Sequence, residues 1–106
     1  IRRLQAYQEA GADVLYAPGL MTREEIDAVV RAVNGPVNVL AGMPKFPLTL
    51  AELSALGVKR VSVGSALYHT AKAAFVRAVQ EMKERGTFSF ANDGASPPNL
   101  SELFRG

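Results

Sequence analysis

Three short strand-like segments, at residues 12–17, 37–41 and 58–63, alternate with turns and helix-patterned stretches, and this alternation restricts the chain to an α/β architecture. Strands joined through helices rather than tight turns pair in parallel, with right-handed crossovers. Ahead of the first run, Ile1, Leu4, Tyr7 and Ala10 recur at helical spacing and stop at Gly11. Pro18 and Gly19 end the run, and Thr22 with Glu25 forms a capping-box pattern before Ile26, Val29, Val30 and Val33, one apolar helix face halted by Asn34-Gly35-Pro36. The unit then repeats: a turn-rich loop at 42–47, a second capping box at Thr49 and Glu52, and a short helix ending near Gly57. After the third run and the turn Gly64-Ser65, the residues Ala71, Ala74, Phe75, Ala78, Val79 and Met82 predict an amphipathic helix that closes at Gly86.

Three parallel strands cannot close a barrel and leave an open edge, and the composition shifts after Gly86, so the expected organisation is an α/β part over 1–86 and a tail over 87–106. In the tail, Asn99 and Glu102 are placed to cap a short helix through Phe104. Its apolar Phe88, Phe90, Leu100, Leu103 and Phe104 predict that it docks on another surface. Because the chain opens at Ile1, inside a helical pattern and without methionine, it reads as a piece of a longer protein.

Composition removes several function classes. The 12 basic and 10 acidic residues alternate, so the net charge of +2 forms no stripe for a phosphate backbone, and nucleic acid is not expected as a partner. No apolar run approaches the roughly 18–20 residues of a spanning helix, so no membrane role is expected. The absence of cysteine rules out disulfides, thiolate metal sites and a cysteine nucleophile, and fits a cytoplasmic location.

The runs "RLQAYQEAGADVLYAPGL", "GPVNVLAG" and "LGVKRVSVGSALYHTA", in that order and separation, resemble the last three strand–helix units of the phosphoenolpyruvate mutase/isocitrate lyase superfamily, over about residues 1–90. The resemblance implies the C-terminal three units of a (β/α)8 TIM barrel. It further implies a Mg2+-dependent enzyme that makes or breaks a bond beside a carboxylate, through an enolate of pyruvate or oxaloacetate type. The substrate would be a small 2-oxo or 2-hydroxy carboxylic acid. In that family the acidic metal ligands, the mobile loop and a substrate arginine lie on earlier strands, so no catalytic or metal residue is expected in this chain. It would instead supply pocket wall and the contacts of a homo-oligomer, dimer or tetramer, with the final helix exchanged and Phe75, Val79 and the 87–106 tail packed on a neighbouring subunit. Relative to the 2-methylisocitrate lyase branch, Pro18, Leu40 and Gly64 replace a glutamate, an asparagine and a proline, which argues against cleavage of a tricarboxylate.

In such a barrel ligands sit at the C-terminal ends of the strands, which directs attention to 17–20, 41–45 and 64–65. The expected substrate-binding residues are Asn38, Gly42, Gly64 and Ser65. Asn38 has the opposite parity to Val37 and Val39, so it faces away from the helix layer and needs a partner, either neighbouring strands or substrate. Gly64-Ser65 precedes a helix, where backbone N–H groups could take a carboxylate or phosphate, or form only a turn and cap. Lys45 is read as solvated, His69 as a surface or interface residue, and Arg60 and Asp13 as members of structural ion pairs. Two other readings stay open: a non-catalytic partial-barrel interaction module, and a phosphate-binding barrel of another superfamily suggested by "VSVGSAL".

Overall fold

A computed structural model describes residues 1–94, 101, 104 and 105. The predicted tail helix capped by Asn99 and Glu102 falls largely outside them. The order is α1 (Arg2–Glu9), β1 (Leu15–Tyr16), α2 (Arg23–Ala32), β2 (Val37–Leu40), α3 (Leu50–Ala55), β3 (Arg60–Ser62), α4 (Ala66–Arg85) and a 3-10 turn (Ser89–Asn92). The strands form one parallel sheet in the order β1-β2-β3. The chain divides into two compact units, Ile1–Leu67 and Tyr68–Gly106.

Within the first unit both capping boxes form as the sequence predicts. Thr22 accepts from the Glu25 N–H and Thr49 from the Glu52 N–H, while each glutamate reaches back to the threonine N–H. Each threonine cap contributes about 1 kcal/mol to its helix start. Arg23 Nη2 bonds Glu52 Oε1 at 3.0 Å and ties the two helix starts together.

Register explains which residues make the core. Leu15 pairs with Val37, and Val39 with Val61, so these side chains share one sheet face. Leu15, Val37 and Val39 are buried there with Ile26 and Val29 of α2 and Leu53 of α3, and Val61 packs against them. The strands are shorter than the apolar runs. The first run is paired over Leu15–Tyr16 alone, because the Asn34-Gly35-Pro36 turn ends just before Val37 and leaves residues 12–14 without a ladder partner. Asp13 accordingly lies exposed in a bend and joins no ion pair among the described residues, contrary to expectation.

For α1, only Leu4 of the predicted apolar face is buried, while Ile1 and Tyr7 stay about half exposed. Two glutamines hold the helix instead. Gln5 Nε2 donates to the Ala32 carbonyl at 3.0 Å, and Gln8 Oε1 accepts from the backbone N–H of Asn34 (2.7 Å) and Gly35 (3.1 Å).

The second unit contains most of α4, whose apolar stripe is open: Phe75 is 69% exposed, and Val76, Val79 and Met82 about 40%. Its buried side chain is Glu81. That carboxylate accepts from the hydroxyls of Ser89 and Thr87, both at 2.8 Å, and from the Ser89 N–H, fastening the turn that follows the helix. The Ser89 and Thr87 hydroxyls hold its pKa below the ordinary 4.5 against the upward push of desolvation, with smaller help from the Ser89 N–H and the Arg85 charge. A folded pKa below the unfolded one stabilises the folded state above the unfolded value, and this contribution fades as pH falls through the folded value. Hydrogen-exchange protection of the Ser89 amide is therefore expected to decline on acidification below the ordinary value of 4.5. Glu81→Gln should blunt that decline, and identical acid profiles for the two proteins would refute the assignment.

Candidate functional site

The C-terminal ends of β2 and β3 are held together tightly. Beyond the strands, the Ala41 N–H donates to the Ser62 carbonyl at 2.8 Å, continuing the ladder. The next residue, Gly42, lies so close to Val63 that a Cβ added there would fall on the Val63 carbonyl. Gly42 is glycine because the two backbones touch. Gly64 adopts a positive φ of 54° at the top of β3, where an added Cβ would stand 3.4 Å from Leu40 Cδ1. The Ala66 N–H closes the turn on the Val63 carbonyl at 3.0 Å, leaving Gly64 and Ser65 exposed.

Three of the four sequence-predicted substrate residues, Gly42, Gly64 and Ser65, therefore lie beyond the C-terminal ends of the adjacent strands β2 and β3. Asn38 lies four residues before Gly42, within β2 and 2% exposed, and both edges of its amide are engaged by β3. Arg60 Nη1 donates to Asn38 Oδ1 at 3.1 Å, and Asn38 Nδ2 donates to Ser62 Oγ at 3.0 Å. The register places Asn38 opposite Arg60 and Leu40 opposite Ser62. Arg60 thus serves an amide, and the ion pair expected of it is absent among the described residues. Ser62 was not singled out from sequence. Its signal was its parity: it alternates with Val61 and Val63, so it shares a face with Arg60 and Asn38.

The remaining candidates are spread out. Lys45 is exposed at a φ of 61°, within the loop where the Phe46 N–H bonds the Met43 carbonyl at 3.2 Å. His69 is exposed on α4, edge-on to Tyr68 at 5.3 Å between ring centroids. At the end of β1, Tyr16, Ala17 and Pro18 line a hollow of about 330 Å³ together with Ile1, Arg3, Leu4 and Tyr7 of the first helical segment.

The site's side chains are an amide, a guanidinium and a hydroxyl, with Tyr16 in register beside Asn38. Among the described residues no group of three or more His, Cys, Asp or Glu could hold a metal ion. The residues described do not fit a Mg2+ site, because a hard cation wants several oxygen donors with negative charge. No described helix is long and apolar enough to cross a membrane.

The chain is similar to known proteins over nearly its whole length. The chain is 38% identical over 103 residues to an oxaloacetate decarboxylase of Rhodopseudomonas palustris (strain BisA53), covering 97% of this chain and 32% of that protein. It is 32% identical over 106 residues to an oxaloacetate decarboxylase of Paraburkholderia xenovorans (strain LB400), covering 100% of this chain and 35% of that protein. The chain thus spans about a third of the length of these curated relatives. A crystal structure of a Burkholderia cenocepacia J2315 protein assigned to the lyase/mutase class superposes with a TM-score of 0.86 at 51% identity, over 99% of this chain and 38% of that one. An oxaloacetate acetylhydrolase bound to its product oxalate superposes at 0.78 and 28% identity, over 96% of this chain and 36% of that one. The parallel sheet and helices of the present chain are a portion of the TIM barrel of these structural neighbours. The family model for phosphoenolpyruvate phosphomutase matches residues 1–83, and the chain belongs to that family.

Proposed function

We propose that this chain is pocket wall and oligomer contact in a lyase or mutase that works on the carbon–carbon bond beside a carboxylate of a small 2-oxo or 2-hydroxy acid. Oxaloacetate, or an acid close to it, is the substrate this reading favours. The observation that carries it is similarity to oxaloacetate decarboxylases across nearly the whole chain. Gly42, Gly64 and Ser65 form the wall, with little side-chain bulk to exclude a small acid, and Asn38 supports it from beneath. Pro18, Leu40 and Gly64 remain departures that disfavour a tricarboxylate.

Mg2+ and an enolate intermediate belong to the same reading, with ligands outside this chain. So does a homo-oligomer with an exchanged final helix, supported by the exposed Phe75, Val79 and Met82 of α4. A cytoplasmic location completes it.

The experiment is a coupled assay of pyruvate formation by the full-length protein carrying this chain, with oxaloacetate, 2,3-dimethylmalate and 2-methylisocitrate compared in Mg2+ buffer. Turnover of oxaloacetate above the other two is expected, and removal of divalent ions by a chelator should abolish it. Absence of cleavage of any 2-oxo or 2-hydroxy acid sinks the proposal.

A further inference from the structure

The row formed by Arg60, Asn38 and Ser62 has a direction, and chemistry sets it. A guanidinium carries only donors, so the amide edge facing Arg60 is the carbonyl oxygen. The NH2 edge of Asn38 consequently faces Ser62, and the serine oxygen is engaged as an acceptor at 3.0 Å. The hydroxyl hydrogen is then left to point elsewhere. Among the described residues the Ser62 side chain has no other hydrogen-bond partner, and the residue paired with it across the ladder is the apolar Leu40. Ser62 is the last residue of β3, half-buried, at the end of the sheet where ligands sit in this architecture.

We infer that Arg60 and Asn38 hold the Ser62 hydroxyl as a hydrogen-bond donor at the mouth of the barrel, and that it contacts an anionic or keto oxygen of the substrate. Ser62 is then a substrate-binding residue, and Asn38 and Arg60 are positioning residues that act through it. The inference rests on the small-carboxylate reading above and adds to it a residue that meets the acid. An unconstrained serine would donate or accept with equal ease. One that already accepts from an asparagine favours ligands that offer lone pairs, which suits a carboxylate or a 2-oxo group.

Asn38→Asp supplies the sharpest variant. The aspartate still faces Arg60, but toward Ser62 it offers an acceptor in place of a donor. The serine hydrogen would turn inward to that carboxylate and away from the pocket.

The test uses the full-length protein, with steady-state turnover of oxaloacetate and calorimetric titration with oxaloacetate, pyruvate and oxalate. Ser62→Ala is expected to weaken binding about tenfold or more, the range for a hydrogen bond to a charged oxygen. Ser62→Thr, which keeps the hydroxyl, should stay near the unsubstituted protein. Asn38→Asp should weaken binding as Ser62→Ala does, and the double variant should bind no more weakly than Ser62→Ala alone. If Ser62→Ala shows unchanged KM and Kd while its melting temperature falls, the row is purely structural and the inference is overturned. If the unsubstituted protein binds one of these acids without cleaving oxaloacetate, the decarboxylase reading fails while the Ser62→Ala titration still decides the inference. Binding of none of the three overturns both.

Discussion

Gly42→Ala is expected to destabilise the protein by about 3 kcal/mol, seen as a lower urea midpoint with an unchanged slope. The cause is space. The added methyl would fall on the Val63 carbonyl, and backbone cannot rotate away as a side chain would. Relief requires the ends of β2 and β3 to separate, which also strains the Ala41 N–H bond to the Ser62 carbonyl, itself worth about 1 kcal/mol. Gly19→Ala is the control. Nothing lies within 4 Å of a Cβ there, so its cost is only the φ of +87°, about 1–2 kcal/mol. Equal midpoints for Gly42→Ala and the unsubstituted protein would show that the two strand ends do not touch as described.

Ile26→Ala should cost a comparable amount, about 3–4 kcal/mol. Ile26 is 0% exposed on the face of α2 that packs against the sheet, so truncation removes buried methyl groups and leaves a cavity among Leu15, Val37 and their neighbours. Phe75→Ala is the informative comparison, since Phe75 is larger but 69% exposed. An uncovered Phe75 costs under about 0.5 kcal/mol when truncated. Thermal or urea unfolding of the two variants side by side reads the difference. A loss at Phe75 matching that at Ile26 would mean that the α4 face is covered in the full-length protein, as the oligomer reading requires.

The capping boxes show what is legible in a sequence. Thr22 with Glu25, and Thr49 with Glu52, satisfy helix N–H groups through residues three apart, so both were readable without any tertiary information. The helix-facing strand positions were readable for a related reason, since parity alone separates Val37 and Val39 from Asn38 on the other face. Strand length was not readable in the same way. Residues 12–14 lead into the apolar run without a break, but a ladder needs a partner, and the position of the turn before Val37 denies them one.

The site divides along the same line. Glycine at 42 and 64 was visible as turn chemistry, but the contact of Gly42 with Val63 joins residues 21 apart and leaves no local trace. Parity required Asn38 to find a partner, yet could not choose between strand and substrate. Register chose: it put Arg60 beside Asn38 and Ser62 within reach of the amide. For α4, periodicity revealed an apolar stripe and was silent on what would cover it.

The sequence by itself therefore determined the alternation of strands and helices, the helix starts, which strand residues share a face, and the family. These depend on interactions within a few residues or on patterns that repeat along the chain. Only the tertiary structure decided the register in which the strands pair, that Gly42 must lack a side chain, and that Arg60, Asn38 and Ser62 form one directed row. Each of those depends on distance across the sheet, which the order of residues does not encode locally.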